Sequence, residues 1–196
     1  QLVLYLLALI NKDREDNGAS PVALGANPAA QAHAEEMLNK GYRSHWGLDG
    51  EKPYMRYTKG GGIGYQAENL YALPYYVDPT KSPNRDAYEL LKRAEEALMG
   101  HSGFRANLLD KWHKKVNIGV AYNGAAIALV QQFEGGYIRF SNTPSLSTGI
   151  LSLTGETIDG FLLDGVQIWY DPSPTPLSRG QLGKSSCYDA GRLVAM

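Results

Sequence analysis

The chain has 196 residues, of which 43% are hydrophobic and 20% charged, enough for one generous domain or for a domain of roughly 140 residues with a small appendage. With 19 basic and 20 acidic residues its formal net charge is −1, so composition gives no electrostatic reason to expect binding to nucleic acid or to an anionic membrane. The single cysteine, Cys187, excludes an intrachain disulfide and leaves the cellular compartment open.

The first stretch, Leu2 to Ile10, is apolar and resembles the core of a signal peptide. No basic region precedes it, no small-residue cleavage site follows it, and it is too short to span a bilayer. We therefore interpret it as the start of one helix that continues into polar residues and stops at Gly18. This interpretation leaves no targeting or transmembrane segment in the sequence, and we expect that a leader was removed.

A second helix is predicted from Asn27-Pro28, a preferred cap followed by proline at the first helical position, to a stop at Gly41. His33 lies on its apolar face, and we interpret it as a packed, hydrogen-bonded core histidine. Residues 42–64 predict irregular structure rich in aromatic side chains. We interpret the glycines at 60–62 as a turn, because no strand precedes them and no helix follows them as a nucleotide-binding loop requires.

A short strand is predicted next, over residues 65–73, and it carries Glu68. After a proline-rich loop, Asn84 or Asp86 is expected to cap a helix whose apolar residues recur at helical spacing up to a break at Gly100. A second, shorter helical piece carries Phe104.

Two β-rich runs, residues 116–122 and 125–133, are joined by Asn123-Gly124, a strong hairpin signal, and residues 137–140 are predicted to return as a third strand. Three strands flanked by helices predict an α+β fold with a mainly antiparallel central sheet. His113, which precedes the first of these strands among charged residues, is expected at an exposed helix end.

The character of the sequence changes after Asn142, where glycine, serine and proline become frequent. We predict a first domain over residues 1–142 and a small β-rich C-terminal extension over residues 143–196, with strands at 149–154 and 165–170. A unit with so few strands is only marginally stable on its own. The extension is therefore expected to pack on the first domain or on a partner.

Five fragments in order carry a resemblance to a known family: LLALINKDRE, NPAAQAHAEEM, SHWG, AENL and FRANLLDKWHKKVNIGVA. Over about residues 2–140 the chain resembles the CAP superfamily (cysteine-rich secretory protein, antigen 5, pathogenesis-related 1) in its cysteine-poor prokaryotic SCP-like branch. The resemblance implies an α-β-α sandwich with a broad cleft, on a protein that is secreted or in the cell envelope.

The resemblance also implies the content of the cleft, where family members commonly carry two histidines and one or two glutamates. His45 corresponds to the first histidine and Glu68 to the glutamate of the motif written AENL here, but Phe104 stands in the place of the second histidine. His101 lies three positions earlier, about one helical turn away, where eukaryotic members place a second glutamate. His45, Glu68 and His101 would offer two imidazoles and a carboxylate, a set suited to zinc with an open position.

A ligand cleft is the other expectation, lined by Tyr71, Tyr75 and Tyr76 together with Phe104. The sequence lacks the HExxH and GxSxG motifs, and Cys187 has no recognisable catalytic surroundings, so an enzyme is not the first expectation.

Three functions stay open: a cleft that binds an extracellular ligand (lipid, carbohydrate or protein), with or without zinc; a metal-dependent hydrolase; and an interaction module with a vestigial cleft. Fold analogy alone selects none of them.

Overall fold

The computed structural model describes residues 1–73, 84–185 and 187–196. The helices are α1 (Leu2–Asp16), α2 (Ala29–Lys40), α3 (Pro53–Lys59), α4 (Ala87–Gly100), α5 (Ser102–Leu108) and α6 (Arg179–Leu182). The strands are β1 (Ala23–Leu24), β2 (Gln66–Leu73), β3 (His113–Tyr122), β4 (Ile127–Gly135), β5 (Ile138–Phe140), β6 (Ser145–Ser147), β7 (Ile150–Ser152), β8 (Gly155–Thr157), β9 (Ile168–Tyr170) and β10 (Arg192–Ala195). The loop predicted over residues 74–83, with Tyr75 and Tyr76, lies outside the described residues.

Four strands form the central sheet in the order β1-β3-β4-β2. β4 is antiparallel to both β2 and β3, which confirms the mainly antiparallel sheet, while the short β1 adds a parallel pairing to β3 that the sequence did not predict. The hairpin between β3 and β4 turns where expected. Asn123 Oδ1 accepts hydrogen bonds from the N–H groups of Ala125 and Ala126 at 3.1 and 2.9 Å, and Gly124 has a φ of 90°, which glycine adopts without strain.

Alternation along β4 divides the core into two layers. Ile127, Leu129 and Phe133 pack with apolar residues of α1 and α4 on one face of the sheet. Ala128 and Val130 face the opposite way and pack with α2. Helices therefore cover both faces of the sheet, and the predicted α-β-α sandwich is confirmed.

The helix ends agree with the sequence in most places. Asp86 caps α4, since its side chain accepts hydrogen bonds from the N–H groups of Tyr88 and Glu89 at 2.8 and 2.9 Å. The short helix α3 is a difference, because residues 42–64 were expected to be irregular throughout. Pro53 stands at its first position, where a missing N–H costs nothing.

Two expectations about the region around β3 and β4 were wrong. β5 was expected beside the central sheet, but both edges of β4 are taken by β2 and β3, and β5 pairs with β8 instead. His113 is buried rather than exposed. Its ring stacks on Phe133 with centroids 4.8 Å apart, and burial lowers its pKa to about 4, so the imidazole is neutral at neutral pH.

Strands β6 to β10, which follow residue 142, pair with one another and with β5 in three two-stranded sheets, β5-β8, β6-β7 and β9-β10. Among the described residues none of these sheets joins the central sheet. The sequence analysis missed α6, although Ser178 and Gln181 form a capping box at its start. Leu182 of α6 is buried in the layer beneath α2. None of the helices within the described ranges is long and apolar enough to cross a membrane.

Candidate functional site

A cleft of about 940 Å³ runs along β2, the last strand of the sheet. Its floor is formed by residues 67–71 of β2, one wall by residues 43–45 and part of the C-terminal region, and the other wall by residues of α5 with His101. The structure therefore brings the three predicted metal ligands, His45, Glu68 and His101, to one cleft together with Phe104. Tyr71 lines it as well, while Tyr75 and Tyr76 lie outside the described residues.

Two residues that line the cleft, His45 and Glu68, form a hydrogen-bonded group with the side chain of Arg56. His45 Nδ1 lies 2.9 Å from Glu68 Oε1, and Arg56 Nη2 lies 3.2 Å from Glu68 Oε2. The same guanidinium donates to the carbonyl of His45 at 2.9 Å, and its Nη1 donates to the carbonyl of Glu51 at 2.7 Å. Arg56 thus ties α3, the His45 loop and β2 together.

These partners decide the charge of Glu68, whose side chain is fully inaccessible to solvent. Burial by itself raises the pKa of this carboxyl, but the charge of Arg56 and the hydrogen bond from His45 outweigh it and leave the pKa below its ordinary value. The carboxylate is therefore ionised at neutral pH. A fixed anion next to His45 Nδ1 makes that nitrogen the protonated donor of the ring.

His101 is placed differently from the prediction of a ligand. It lies between α4 and α5, its side chain is exposed, and its Nδ1 accepts the N–H of Phe104 at 3.4 Å as a helix cap. The Phe104 ring contacts it with centroids 4.6 Å apart and is 6.2 Å from the ring of His45.

These contacts fit a zinc centre poorly. The oxygens of Glu68 bond to His45 Nδ1 and to Arg56, and Nδ1 of His101 accepts a hydrogen bond from a backbone N–H. Both histidines could still bind a metal through Nε2, as metal-ligating histidines do when Nδ1 has a hydrogen-bond partner, but both oxygens of Glu68 already have protein partners. Across the described ranges no group of three histidine, cysteine, aspartate or glutamate side chains is close enough to hold an ion. Zinc binding by His45, Glu68 and His101 stays a prediction.

One wall of the cleft was not predicted from the sequence. Tyr188, from the C-terminal region, packs edge-on against His45 with ring centroids 5.6 Å apart, and Ser185 and Cys187 line the cleft beside it. Burial, followed by the charge of Glu68, raises the pKa of Tyr188 to about 12, so the phenol is neutral. No local pattern marks this residue in the sequence.

Polar contacts anchor that wall on the first 142 residues. Lys52 Nζ lies 2.8 Å from Asp171 Oδ2 and 2.9 Å from Asp189 Oδ1, and it also donates to the carbonyl of Asp189 at 3.0 Å. Trp46 Nε1 donates to the carbonyl of Cys187 at 3.1 Å. We call residues 171–185 and 187–191 the C-terminal strap.

On the opposite face of β2 a second polar network supports the α5 wall. Asn69 Nδ2 donates to the carbonyl of Phe104 at 3.0 Å, and Asn107 Nδ2 donates to Asn69 Oδ1 at 2.8 Å. Gln131 joins Asn69 to the carboxyl of Glu95 on α4. Burial and the charge of Asp13 raise the pKa of Glu95 to about 8, so this carboxyl is mainly protonated at neutral pH.

Comparison with known proteins agrees with this geometry. The sequence model of the CAP (Cysteine-rich secretory protein) family matches residues 7–133. This range includes the cleft floor on β2, the α5 wall and the His45 loop, but not the strap. The chain belongs to the CAP family. The strap therefore adds to the CAP cleft a wall from outside the matched range. No curated protein sequence matches the chain.

One solved structure of a bacterial protein with a SCP domain shares the fold. An extracellular protein containing a SCP domain from Bacillus anthracis str. Ames matches with a TM-score of 0.53 and 18% identity, over 68% of this chain and 40% of that chain. A cysteine-rich secretory protein from Staphylococcus aureus subsp. aureus Mu50 gives a TM-score of 0.41 and 14% identity, over 68% of this chain and 38% of that one. The chain thus covers about two fifths of the length of each.

Proposed function

We propose that this CAP domain is a binding protein that acts outside the cell or in the cell envelope, and that its ligand occupies the cleft along β2. The observation that carries the proposal is the cleft itself. It is about 940 Å³ in volume and combines aromatic rings from separate segments, Tyr71, Phe104 and Tyr188, with polar groups such as Asn107 and Asp110. Apolar walls with a few convergent polar groups are the usual form of a ligand site.

The cleft is also built to keep its shape. Arg56 joins three segments at its base, the Asn69 network supports one wall, and Lys52 anchors the other. A preorganised site loses less conformational entropy when a ligand binds. The extracellular location is supported by the B. anthracis protein, which is described as extracellular.

Metal-dependent hydrolysis, the enzymatic alternative, has weaker support. It requires His45, Glu68 and His101 to converge on one ion, whereas within the described residues no three histidine, cysteine, aspartate or glutamate side chains lie close enough to hold one. A binding function uses the same side chains without rearrangement.

A fragment screen by NMR tests the proposal. We expect aromatic and polar fragments to shift the backbone amide signals of residues that line the cleft, such as Asn69, Phe104 and Ser185. The variant Ala106→Trp places a large ring in the cleft from an exposed position on α5 and should abolish these shifts. Ala8→Trp, at an exposed position on α1 outside the cleft, is the matched control and should leave them unchanged. Fragments that bind elsewhere, or bind Ala106→Trp equally well, would contradict the proposal.

A further inference from the structure

The floor of the cleft is the free edge of a β-sheet. Within the described ranges β2 pairs only with β4, and five consecutive residues of β2, numbers 67–71, line the cleft. An edge strand presents backbone N–H and C=O groups that a further strand can use. Proteins usually cover or interrupt such edges, but this one opens into the cleft of about 940 Å³.

The pairing with β4 determines which backbone groups face the cleft. The N–H of Gly135 donates to the carbonyl of Tyr65 at 3.2 Å, so the backbone N–H and C=O groups of Tyr65 face β4. Hydrogen-bonded and non-hydrogen-bonded residues alternate in an antiparallel pair. The backbone N–H and C=O groups of Asn69 therefore also face β4. Those of Glu68 and Leu70 point away from β4, into the cleft.

These outward groups are recessed, and no described residue pairs with them. Glu68 is 6% exposed although its side chain is 0% exposed, so the accessible area belongs to its backbone, and Leu70 is 4% exposed. None of the hydrogen bonds among the described residues engages the outward N–H or C=O of either residue. Buried backbone groups without a partner are unfavourable, and nearly all of them are paired in native proteins.

We propose that the cleft binds an extended peptide segment of a partner protein as an added β-strand, hydrogen-bonded to the outward backbone groups of Glu68 and Leu70. The proposal deepens the proposed function and rests on it, because it names the class of ligand that the cleft takes. Strand addition is an established mode of peptide recognition in which backbone hydrogen bonds give affinity and alternate side chains give specificity.

The shape of the cleft favours a single peptide strand over a second copy of this domain. Glu68 and Leu70 lie between the strap and α5, so the recessed edges of two folded copies cannot approach to the strand spacing of about 4.8 Å. An isolated extended segment is narrow enough to enter.

The two walls of the cleft would then contact alternate side chains of the bound peptide. Successive side chains of a strand point to opposite faces of the sheet. One set would face His45 and Tyr188, and the other would face Phe104 and Asn107. We therefore expect peptides with apolar or aromatic residues at every second position to bind best.

Heptapeptides selected from a phage-displayed random library on the whole 196-residue chain are the probe. Each backbone N–H of the best synthetic heptapeptide is replaced in turn by N-methyl, which removes one donor. Strand addition predicts a period of two: methylation at alternate positions weakens binding by about tenfold or more for each lost hydrogen bond to the recessed edge, and methylation between them has little effect. Ala106→Trp should abolish binding, and Ala8→Trp should not.

Hydrogen exchange provides the matching measurement on the protein. On binding, the amides of Glu68 and Leu70 should become protected, while Ala67 and Asn69, already bonded to β4, should not change. A selected peptide without the alternating pattern on either side would overturn strand addition and leave cleft binding intact. If fragments bind in the cleft but no peptide is selected, this inference alone is overturned. If neither fragments nor peptides bind, both proposals are overturned. A dimer in light scattering that protects Glu68 and Leu70 would assign the edge to a second copy and contradict the proposal.

Discussion

Two buried carboxyl groups on opposite faces of the sheet have opposite charge states. Glu68, on the face covered by α2, has Arg56 and His45 as partners, and its pKa stays below the ordinary value despite complete burial. Glu95, on the face covered by α4, has the amide of Gln131 as its one hydrogen-bond partner among the described residues, and burial raises its pKa to about 8. Burial is common to both groups, so the difference comes from the charged partner.

The comparison separates two ways of supporting the cleft. The base beneath His45 depends on an ion pair whose members are both needed, because either charge left alone would be buried without compensation. The α5 wall depends on a network that contains a neutral acid and three amides. Substitutions should therefore have larger effects on the first support, and pH should affect the two in opposite directions.

The largest effect is expected for Arg56→Ala. This change leaves the ionised Glu68 buried and removes hydrogen bonds to two carbonyls, so the free energy of unfolding should fall by about 3–5 kcal/mol. Urea denaturation measures it. Arg139→Ala is the control, since Arg139 pairs with Glu156 on the surface, and it should cost about 1 kcal/mol or less. Equal losses in the two variants would show that the ion pair at Glu68 is not essential to stability.

The next largest effect is the pH dependence contributed by Glu95. Its pKa rises on folding from the ordinary 4.5 to about 8, so the folded state binds the proton more tightly. Its stabilising contribution is complete below about pH 4.5 and is lost as the pH rises to about 8. The slope between these values is at most about 1.4 kcal/mol per pH unit. Glu95→Gln should remove this slope in urea denaturations repeated across the range. Parallel curves for the two proteins would contradict the neutral state of Glu95.

Glu68 should contribute to the pH dependence of the free energy of unfolding in the opposite direction. Since its pKa is lowered in the folded state, its contribution is present above the ordinary pKa and is lost as the pH falls through the folded value. The acid limb of the stability curve should therefore be shallower in Glu68→Gln, although that variant is less stable at neutral pH because Arg56 loses its partner.

A smaller effect is expected for Asn69→Ala, which tests the neutral network. The change removes the donor to the carbonyl of Phe104 and to Gln131 and leaves Asn107 Nδ2 without its acceptor, at a cost of about 1–3 kcal/mol. Asn142→Ala, at an exposed position, is the control and should be close to neutral. The amide signals of α5 should also shift in Asn69→Ala, and unchanged signals would exclude a role for Asn69 in placing that wall.

The smallest effect is expected at His101, which is tied to neither carboxyl. Its single cap hydrogen bond is long and exposed, so His101→Ala should cost about 0.5 kcal/mol. Asp86→Ala, which removes two shorter cap bonds from α4, should cost more. The reverse order in thermal unfolding would mean that His101 has a contact that the cap does not describe.

Local patterns were sufficient to predict most of the fold. Helical spacing gave α1, α2 and α4, and the Asn123-Gly124 turn fixed the β3-β4 hairpin. The missed elements are short and depend on distant partners. β1 has two residues and forms only because it pairs with β3, and β5 was assigned to the wrong sheet because its partner β8 could not be inferred from the hairpin pattern.

The cleft could be predicted in part. The family fragments identified His45, Glu68 and the substitution by Phe104, and all three line the cleft. Arg56 lies between the matched fragments, where no motif marks it. Tyr188 could not be found locally, because its position depends on contacts such as Lys52 with Asp189, which are 137 residues apart.

The central claim is that this cleft binds its ligand through fixed protein groups and not through a metal centre. Calorimetric titration of zinc into metal-free protein, beside His45→Ala and His101→Ala, tests it most directly. We expect no zinc binding that depends on both histidines, since within the described residues no three histidine, cysteine, aspartate or glutamate side chains lie close enough to hold an ion. Tight binding of one zinc ion that each variant abolishes would contradict it and would establish the His45, Glu68 and His101 site.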